Sequence, residues 1–121
     1  MGLDIDIVKF NKTDFDELSG DDRKVGYLDG RGLYQGLCYY RKHYSIQDIL
    51  VHVVFRGMEQ CTFHELTKKQ LERSVKLATR LKRSRDDRWK EDELDLLIQD
   101  INVILAETDF NTSVISLSWI S

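Results

Sequence analysis

The 121-residue chain has no proline, only two cysteines and no apolar run near the roughly 18 residues that a membrane span needs. The sequence shows no secretory leader, so the two thiols, Cys38 and Cys61, are expected to be a reduced pair and not a disulfide. The opening Met1–Asp6 is acidic and alternating, unlike the basic start of a secretory signal. These absences predict a chain without a membrane segment or a membrane partner.

Net charge is low as well. Eighteen basic and 21 acidic residues give a formal charge of −3, without the overall basic excess that is typical of nucleic-acid coat proteins. Hydrophobic residues make up 41% of the chain, a globular composition that supplies one core but not two independent ones. Length and composition therefore predict a single domain over residues 1–121.

Recognisable catalytic and cofactor motifs are missing too. The glycine-rich region 20–36 contains no phosphate loop and no dinucleotide-binding fingerprint, so we predict no cofactor. The cysteines and histidines match no zinc-finger spacing and offer no oriented Cys–His pair, so we predict no metal ligand and no catalytic residue. Asp4 and Asp6 share a strand face, where they either act as paired carboxylates or face cross-strand neighbours of opposite charge.

Strands are predicted at both ends of the chain. Leu3–Ile7 and Ile115–Trp119 alternate apolar and polar residues, which gives each strand one apolar face and one solvated face. A third, aromatic-rich strand is predicted over Leu37–Lys42, and shorter ones over Val25–Leu28 and Cys61–Phe63. Because both terminal strands belong to one predicted domain, we expect them in the same antiparallel or mixed sheet.

Between the strands, a helical turn or a loop is expected around Asp14–Leu18 and a glycine turn over Asp29–Gly32. Ser45 is the predicted N-cap of a first full helix, with Asp48 as its capping-box partner. The apolar stripe of this helix is β-branched, so a strand over 49–55 is the alternative.

Two further helices follow. One begins at Thr67, with Gln70 completing a capping box, and the other begins at Asp86 or Asp87. A short polar link joins them, so they should form an antiparallel pair. Their predicted inward residues are Leu71, Ser74, Val75, Ala78, Leu81, Leu94, Leu97, Ile98, Ile101, Ile104 and Leu105. The fold class is α+β: a small sheet with three helices packed mainly on one face.

Charge is segregated along the chain. The net charge is −5 over 1–22, +2 over 23–67, +7 over 68–90 and −7 over 91–121. Five bases of the second helix advance by 4, 3, 4 and 3 residues, which stacks them in one stripe. They are Lys69, Arg73, Lys76, Arg80 and Arg83. Solvent ions, the acids of the third helix, an acidic protein surface or nucleic acid are the candidates to neutralise this stripe.

A second candidate surface is Tyr39–Tyr44, the densest aromatic and cationic segment. Strand alternation predicts that its odd-numbered residues point to one face and its even-numbered residues to the other. Its rings could stack on bases while its cations hold phosphates, or a half-buried sheet face alone explains the tyrosines. The predicted partner- or anion-binding residues of this segment are Arg41, Lys42, His43 and Tyr44.

Parts of the sequence resemble small proteins of phages and bacterial mobile DNA that have no assigned activity. Those proteins open Met-Gly-Leu-Asp, carry an aromatic-Arg-Lys-x-Asn-x-Ile-x-x-Trp segment running from strand into helix, and close on a strand ending Ser-Trp. Met1–Ile5, Tyr40–Ile49 and Ser118–Trp119 are similar, with Tyr44 in the Asn position and Ile49 in the Trp position. The resemblance implies a phage-type accessory protein that acts in the bacterial cytoplasm.

Three hypotheses about function remain. The first is an interaction protein that binds and modulates a host or defence protein through a charged surface. The second is a nucleic-acid-binding protein that uses the basic stripe 69–83. The third is a small metal-dependent or cysteine enzyme, which the lack of a catalytic constellation disfavours. The sequence predicts no oligomeric state.

Overall fold

The computed structural model describes residues 3–28, 31–54 and 59–121. The described chain has an α+β fold and divides into two compact units, each assembled from separate segments. The first unit comprises Met1–Lys42, Met58–Thr67 and Asp109–Ser121, and the second comprises His43–Gly57 and Lys68–Thr108. The first two residues of the predicted glycine turn over 29–32 lie outside the described residues.

A four-stranded antiparallel sheet forms the first unit. Its strands are β1 (Asp4–Asn11), β2 (Tyr34–Arg41), β3 (His64–Leu66) and β4 (Ser113–Ile120), in the spatial order β2-β1-β4-β3. Every neighbouring pair is antiparallel, which confirms the antiparallel alternative over the mixed one. Both terminal strands belong to this sheet, as the alternation of their sequences predicts.

An aromatic cluster packs on one face of the sheet. The ring centroid of Phe10 lies 5.1 Å from that of Phe15, 5.4 Å from Tyr34 and 5.5 Å from Phe63. Phe15 comes from α1 (Lys12–Glu17), which confirms the helical turn predicted there. Tilted and edge-on rings are the preferred geometries of aromatic pairs, and the cluster forms one part of the buried core of the first unit.

Three details of the first unit differ from the sequence prediction. Val25–Leu28 is a short helix, α2, and not a strand, because its residues do not alternate and the Leu28 N–H donates to the Lys24 carbonyl. The predicted strand over Cys61–Phe63 is not formed. These residues precede β3, and among them only Thr62 forms an isolated bridge, to Lys24. The polar face of β4 is not solvated: its Ser116 and Ser118 side chains are buried, and the Ser116 hydroxyl donates a hydrogen bond to the His64 carbonyl of β3.

Helices make up the second unit. α3 (Tyr44–Gln47) continues as a π-helix over Asp48–Val54, followed later by α4 (Lys68–Ser84) and α5 (Glu91–Glu107). The helical prediction for this region is therefore confirmed over the strand alternative, although most of it has π geometry. Apart from Glu93 of α5, which was not predicted to point inward, the buried side chains of α4 and α5 belong to the predicted inward set: Leu71, Ser74, Ala78, Leu94, Leu97, Ile101 and Ile104. α5 starts four or five residues later than predicted.

Ser45 does not cap its own helix. It lies inside α3, and its hydroxyl accepts a hydrogen bond from the Lys90 N–H (3.0 Å) at the start of α5. In return, the carboxylate of Glu93 accepts the Ser45 N–H (3.1 Å), and Asp48 takes no part in either bond. The hydroxyl of Ser45 therefore satisfies the N–H of the N-cap residue of α5, the bond that the N3 residue of the same helix makes in a capping box.

Candidate functional site

The most distinctive surface of the second unit is one side of α4. Lys69, Arg73, Lys76, Arg80 and Arg83 are all exposed, and we call them the α4 basic face. At a rise of about 1.5 Å per residue, the face extends along roughly 21 Å of the helix. Within the described part of the chain, none of the five forms a salt bridge with a carboxylate. The opposite side of α4 is buried, which fixes the direction in which these cations project.

Nearly all the charge on α4 is of one sign. The helix carries seven basic residues and a single acidic one, Glu72. Glu72 is exposed, lies at the edge of the basic face, and makes no salt bridge with a described residue. Like charges three and four residues apart repel along a helix, so the unbound face is a region of concentrated positive potential.

α5 has the opposite character. It carries six acidic residues and no basic one. Lys82, on the flank of α4, forms a salt bridge to Asp95 of α5 at 2.5 Å, and this contact raises the pKa of the lysine. Both side chains are exposed to solvent, which screens their charges, so the pair contributes little to stability. The acids of α5 therefore neutralise Lys82 on the flank of α4, but they form no salt bridge with the described cations of the α4 basic face.

The solvent side of α5 is apolar in its middle. Asp92, Leu96, Gln99, Val103 and Ala106 are exposed along one side of the helix, and we call them the α5 outer face. The exposed fraction of Leu96 is 36% and that of Val103 is 48%. Acidic residues lie at both ends of this face, because Glu91 precedes it and Glu107 follows it. An apolar centre with a charged rim is the usual composition of a protein-binding patch.

A cleft of about 880 Å³ lies at the connection between α4 and α5. Its lining includes Arg83, Arg85 and Trp89, none of which sequence reasoning placed together. Several of its charges are already engaged, because Arg88 binds Asp86 at 2.7 Å and lowers the pKa of that carboxyl. The lining holds three basic and three acidic residues, so it favours neither an anionic nor a cationic ligand.

The second predicted surface divides at the boundary between the units. Arg41 ends β2 and lies opposite Asp4 in the register, while Lys42 has a positive φ of 59° and donates its N–H to the Leu3 carbonyl. His43 precedes α3, and Tyr44 begins it with 53% of its side chain exposed. The predicted strand alternation through Tyr44 is thus wrong beyond Arg41, because the backbone turns at Lys42 and enters a helix.

Asp4 has a cross-strand neighbour of opposite charge, as one of the two interpretations predicts, whereas the cross-strand neighbours of Asp6 are the uncharged Tyr39 and Ser118. The phenol of Tyr39 donates to Asp4 at 2.8 Å, and this hydrogen bond raises the pKa of the phenol. Partial burial and the neighbouring Asp4 raise the pKa of Asp6. The register also places Arg41 beside Asp4, so opposite charge and hydrogen bonding account for that carboxylate.

The described residues contain neither a cluster of metal-binding side chains nor a disulfide. No group of three or more histidine, cysteine, aspartate or glutamate side chains that could hold a metal ion occurs over 3–28, 31–54 and 59–121. Cys61 is exposed, Cys38 is half-buried, and neither forms a disulfide. None of the described helices has the length and apolar character needed to cross a bilayer.

Comparison with known proteins adds no family. No family model, curated protein or solved structure matches this chain. Function must therefore be argued from the charged helices themselves.

Proposed function

We propose that this chain is an interaction protein that binds an acidic surface of another protein through the α4 basic face. One observation carries the proposal: five exposed cations share one side of a rigid helix and have no salt bridge among the described residues. Opposite charge across an interface accelerates encounter and fixes its register. In the setting that the phage resemblance implies, the partner is a bacterial host or defence protein.

Two features favour a protein partner over nucleic acid. The second unit contains eleven basic and ten acidic residues, a net charge of only +1, so it provides little long-range attraction to a polyanion. α4 also contains no aromatic residue on which a base could stack. Contacts to phosphates alone would be non-specific, and the acids of α5 would oppose them. A protein surface can place its carboxylates locally and avoid that repulsion.

Affinity purification from bacterial lysate, with and without nuclease, tests the proposal. The bait is the wild-type chain, the double variant Arg73→Glu/Arg80→Glu, or the control Lys12→Glu/Lys68→Glu. The control makes the same change in net charge at two exposed lysines outside the basic face. We expect a partner that survives nuclease, is retained by the control, and is lost from the Arg73→Glu/Arg80→Glu variant.

Two results would overturn the proposal. The first is a partner that binds equally well to the Arg73→Glu/Arg80→Glu variant, because the face would then play no part in recognition. The second is capture that disappears with nuclease. Direct titration of a fluorescent DNA duplex would then show an affinity that falls steeply with salt, which would establish the nucleic-acid alternative.

A further inference from the structure

We propose that the α4 basic face also takes a second copy of this chain, which supplies the α5 outer face together with the acidic residues at the two ends of α5. This inference rests on the proposed function and names one partner for the same face. The arrangement is a two-fold dimer of second units, in which α4 of each copy packs antiparallel to α5 of the other. The argument depends on helix register, on charge and on the apolar centre of the α5 outer face.

The register follows from a contact within one copy. The salt bridge between Lys82 and Asp95 shows that the end of α4 lies level with the start of α5. Both helices rise by about 1.5 Å per residue, so Lys69 is level with the residue after Glu107. A two-fold axis parallel to the helices preserves these heights. The same levels therefore meet between α4 of one copy and α5 of the other.

Opposite charges then meet at both ends of the contact. Arg83 comes within one helical turn of the level of Glu91 and Asp92 of the second copy. At the other end, Lys69 comes beside Glu107 of the second copy. α5 has no basic residue, and α4 has only Glu72 as an acid. Like charges therefore seldom meet between α4 of one copy and α5 of the other. Packing α5 of one copy against α5 of the other would instead bring acidic residues together.

The middle of the contact is suited to packing. Lys76 and Arg80 have long aliphatic stems, which can cover apolar surface while their charged ends stay in water. In the register above they lie at the level of Leu96 and Val103 of the second copy, two of the three large aliphatic side chains that are exposed among the described residues. Each copy contributes both a basic and an acidic helix, so the contact forms twice and closes the dimer.

Charge exchange between two variants tests the dimer by sedimentation velocity. Arg80→Glu/Arg83→Glu reverses one side of the contact, and Glu91→Lys/Asp92→Lys reverses the other. We expect each variant alone to self-associate about tenfold or more weakly than wild type. An equimolar mixture of the two should recover dimers, because both contacts in the mixed dimer again pair opposite charges. The control Lys12→Glu/Lys68→Glu should dimerise like wild type.

A second pair of charge-reversed variants controls for the loss of helix stability that the first pair can cause. Lysines at positions 91 and 92 oppose the dipole at the start of α5 and can weaken the helix. Lys69→Glu and Glu107→Lys instead place each new charge at the helix end that favours it. Each should weaken self-association alone and restore it when mixed with the other.

The outcomes separate the dimer from the proposed function. A wild-type chain that stays monomeric at every concentration and at low salt overturns the dimer, and so does a mixture that recovers nothing. The lysate experiment can still succeed in that case, because it tests the α4 basic face against a foreign partner. Conversely, a dimer that recovers on charge exchange establishes the contact even if no foreign partner is captured.

Discussion

Ser45 offers the sharpest test of how the second unit is held together. Its hydroxyl accepts the Lys90 N–H at 3.0 Å, and its own N–H donates to Glu93 at 3.1 Å. One small residue thus joins the starts of two helices. Ser45→Ala removes the first bond and keeps the second, so the variant isolates the capping of α5.

The expected cost follows from two opposing effects. Leaving a buried donor without its acceptor costs about 1–3 kcal/mol, and the Lys90 N–H is only partly buried, so water replaces part of the bond and the cost lies at the low end of this range. Alanine recovers a few tenths of a kcal/mol, roughly 0.5 at most, as the better helix former within α3. We therefore expect a net loss of about 1 kcal/mol. At about 2.1 cal/mol/K of unfolding entropy per residue, this loss lowers the Tm by about 4 °C.

Urea and thermal denaturation followed by circular dichroism measure this loss. Ser84→Ala is the matched control, because Ser84 is exposed at the end of α4 and its hydroxyl bonds only to near neighbours: it donates to the Leu81 carbonyl and accepts the exposed Asp86 N–H at 3.4 Å. Glu93→Ala leaves the Ser45 N–H without its acceptor and should cost about 1–2 kcal/mol. The double variant should be non-additive by about 0.5 kcal/mol or more, because both bonds depend on the placement of Ser45. Equal stabilities for Ser45→Ala and Ser84→Ala would refute the reasoning.

Two further predictions concern a carboxyl group and a helix end. The folded-state pKa of Asp6 is raised above its ordinary 3.8 by burial and by Asp4, so the ionised group costs stability above that pH. Asp6→Asn should therefore raise the free energy of unfolding at neutral pH, with the gain vanishing below pH 3.8; an equal gain at both pH values would contradict this. Arg85→Gly should stabilise by about 0.5–1 kcal/mol in urea denaturation, because Arg85 has a φ of 54° just after α4. Arg83→Gly, inside the helix, should instead destabilise by about 1 kcal/mol, and a gain there would show that the backbone conformation is not the cause.

Periodicity was informative wherever one side of an element is buried. The alternation of β1 and the helical spacing of α4 and α5 predict the observed elements, because burial of one side imposes a repeat on the sequence. Val25–Leu28 shows the limit. Four residues are too few to display a period, and a hydrogen bond to Lys24 decided their conformation.

The sequence predicted the α4 basic face correctly but predicted the arrangement of Tyr39–Tyr44 only in part. The spacing of Lys69 to Arg83 predicts a common side of α4, because a straight helix converts spacing directly into direction. The alternation through Tyr44 failed, because it assumed a straight backbone, and the positive φ of Lys42 is invisible in composition. The bonds of Ser45 to Lys90 and Glu93 were missed because they join residues more than forty positions apart.

The way the chain alternates between its two units has a consequence for folding kinetics. Both segments of the helical unit are insertions between strands, and the pairing of Asp4 with Ile120 spans nearly the whole chain. Such long loops are slow to close, whereas a helical hairpin forms from neighbours in sequence. We expect α4 and α5 to associate early and shorten the effective loop that β4 must close. Stopped-flow refolding of a Trp89→Phe variant, whose remaining tryptophan is Trp119 of β4, should then show far-ultraviolet helical signal ahead of tryptophan fluorescence, and simultaneous recovery would exclude this order.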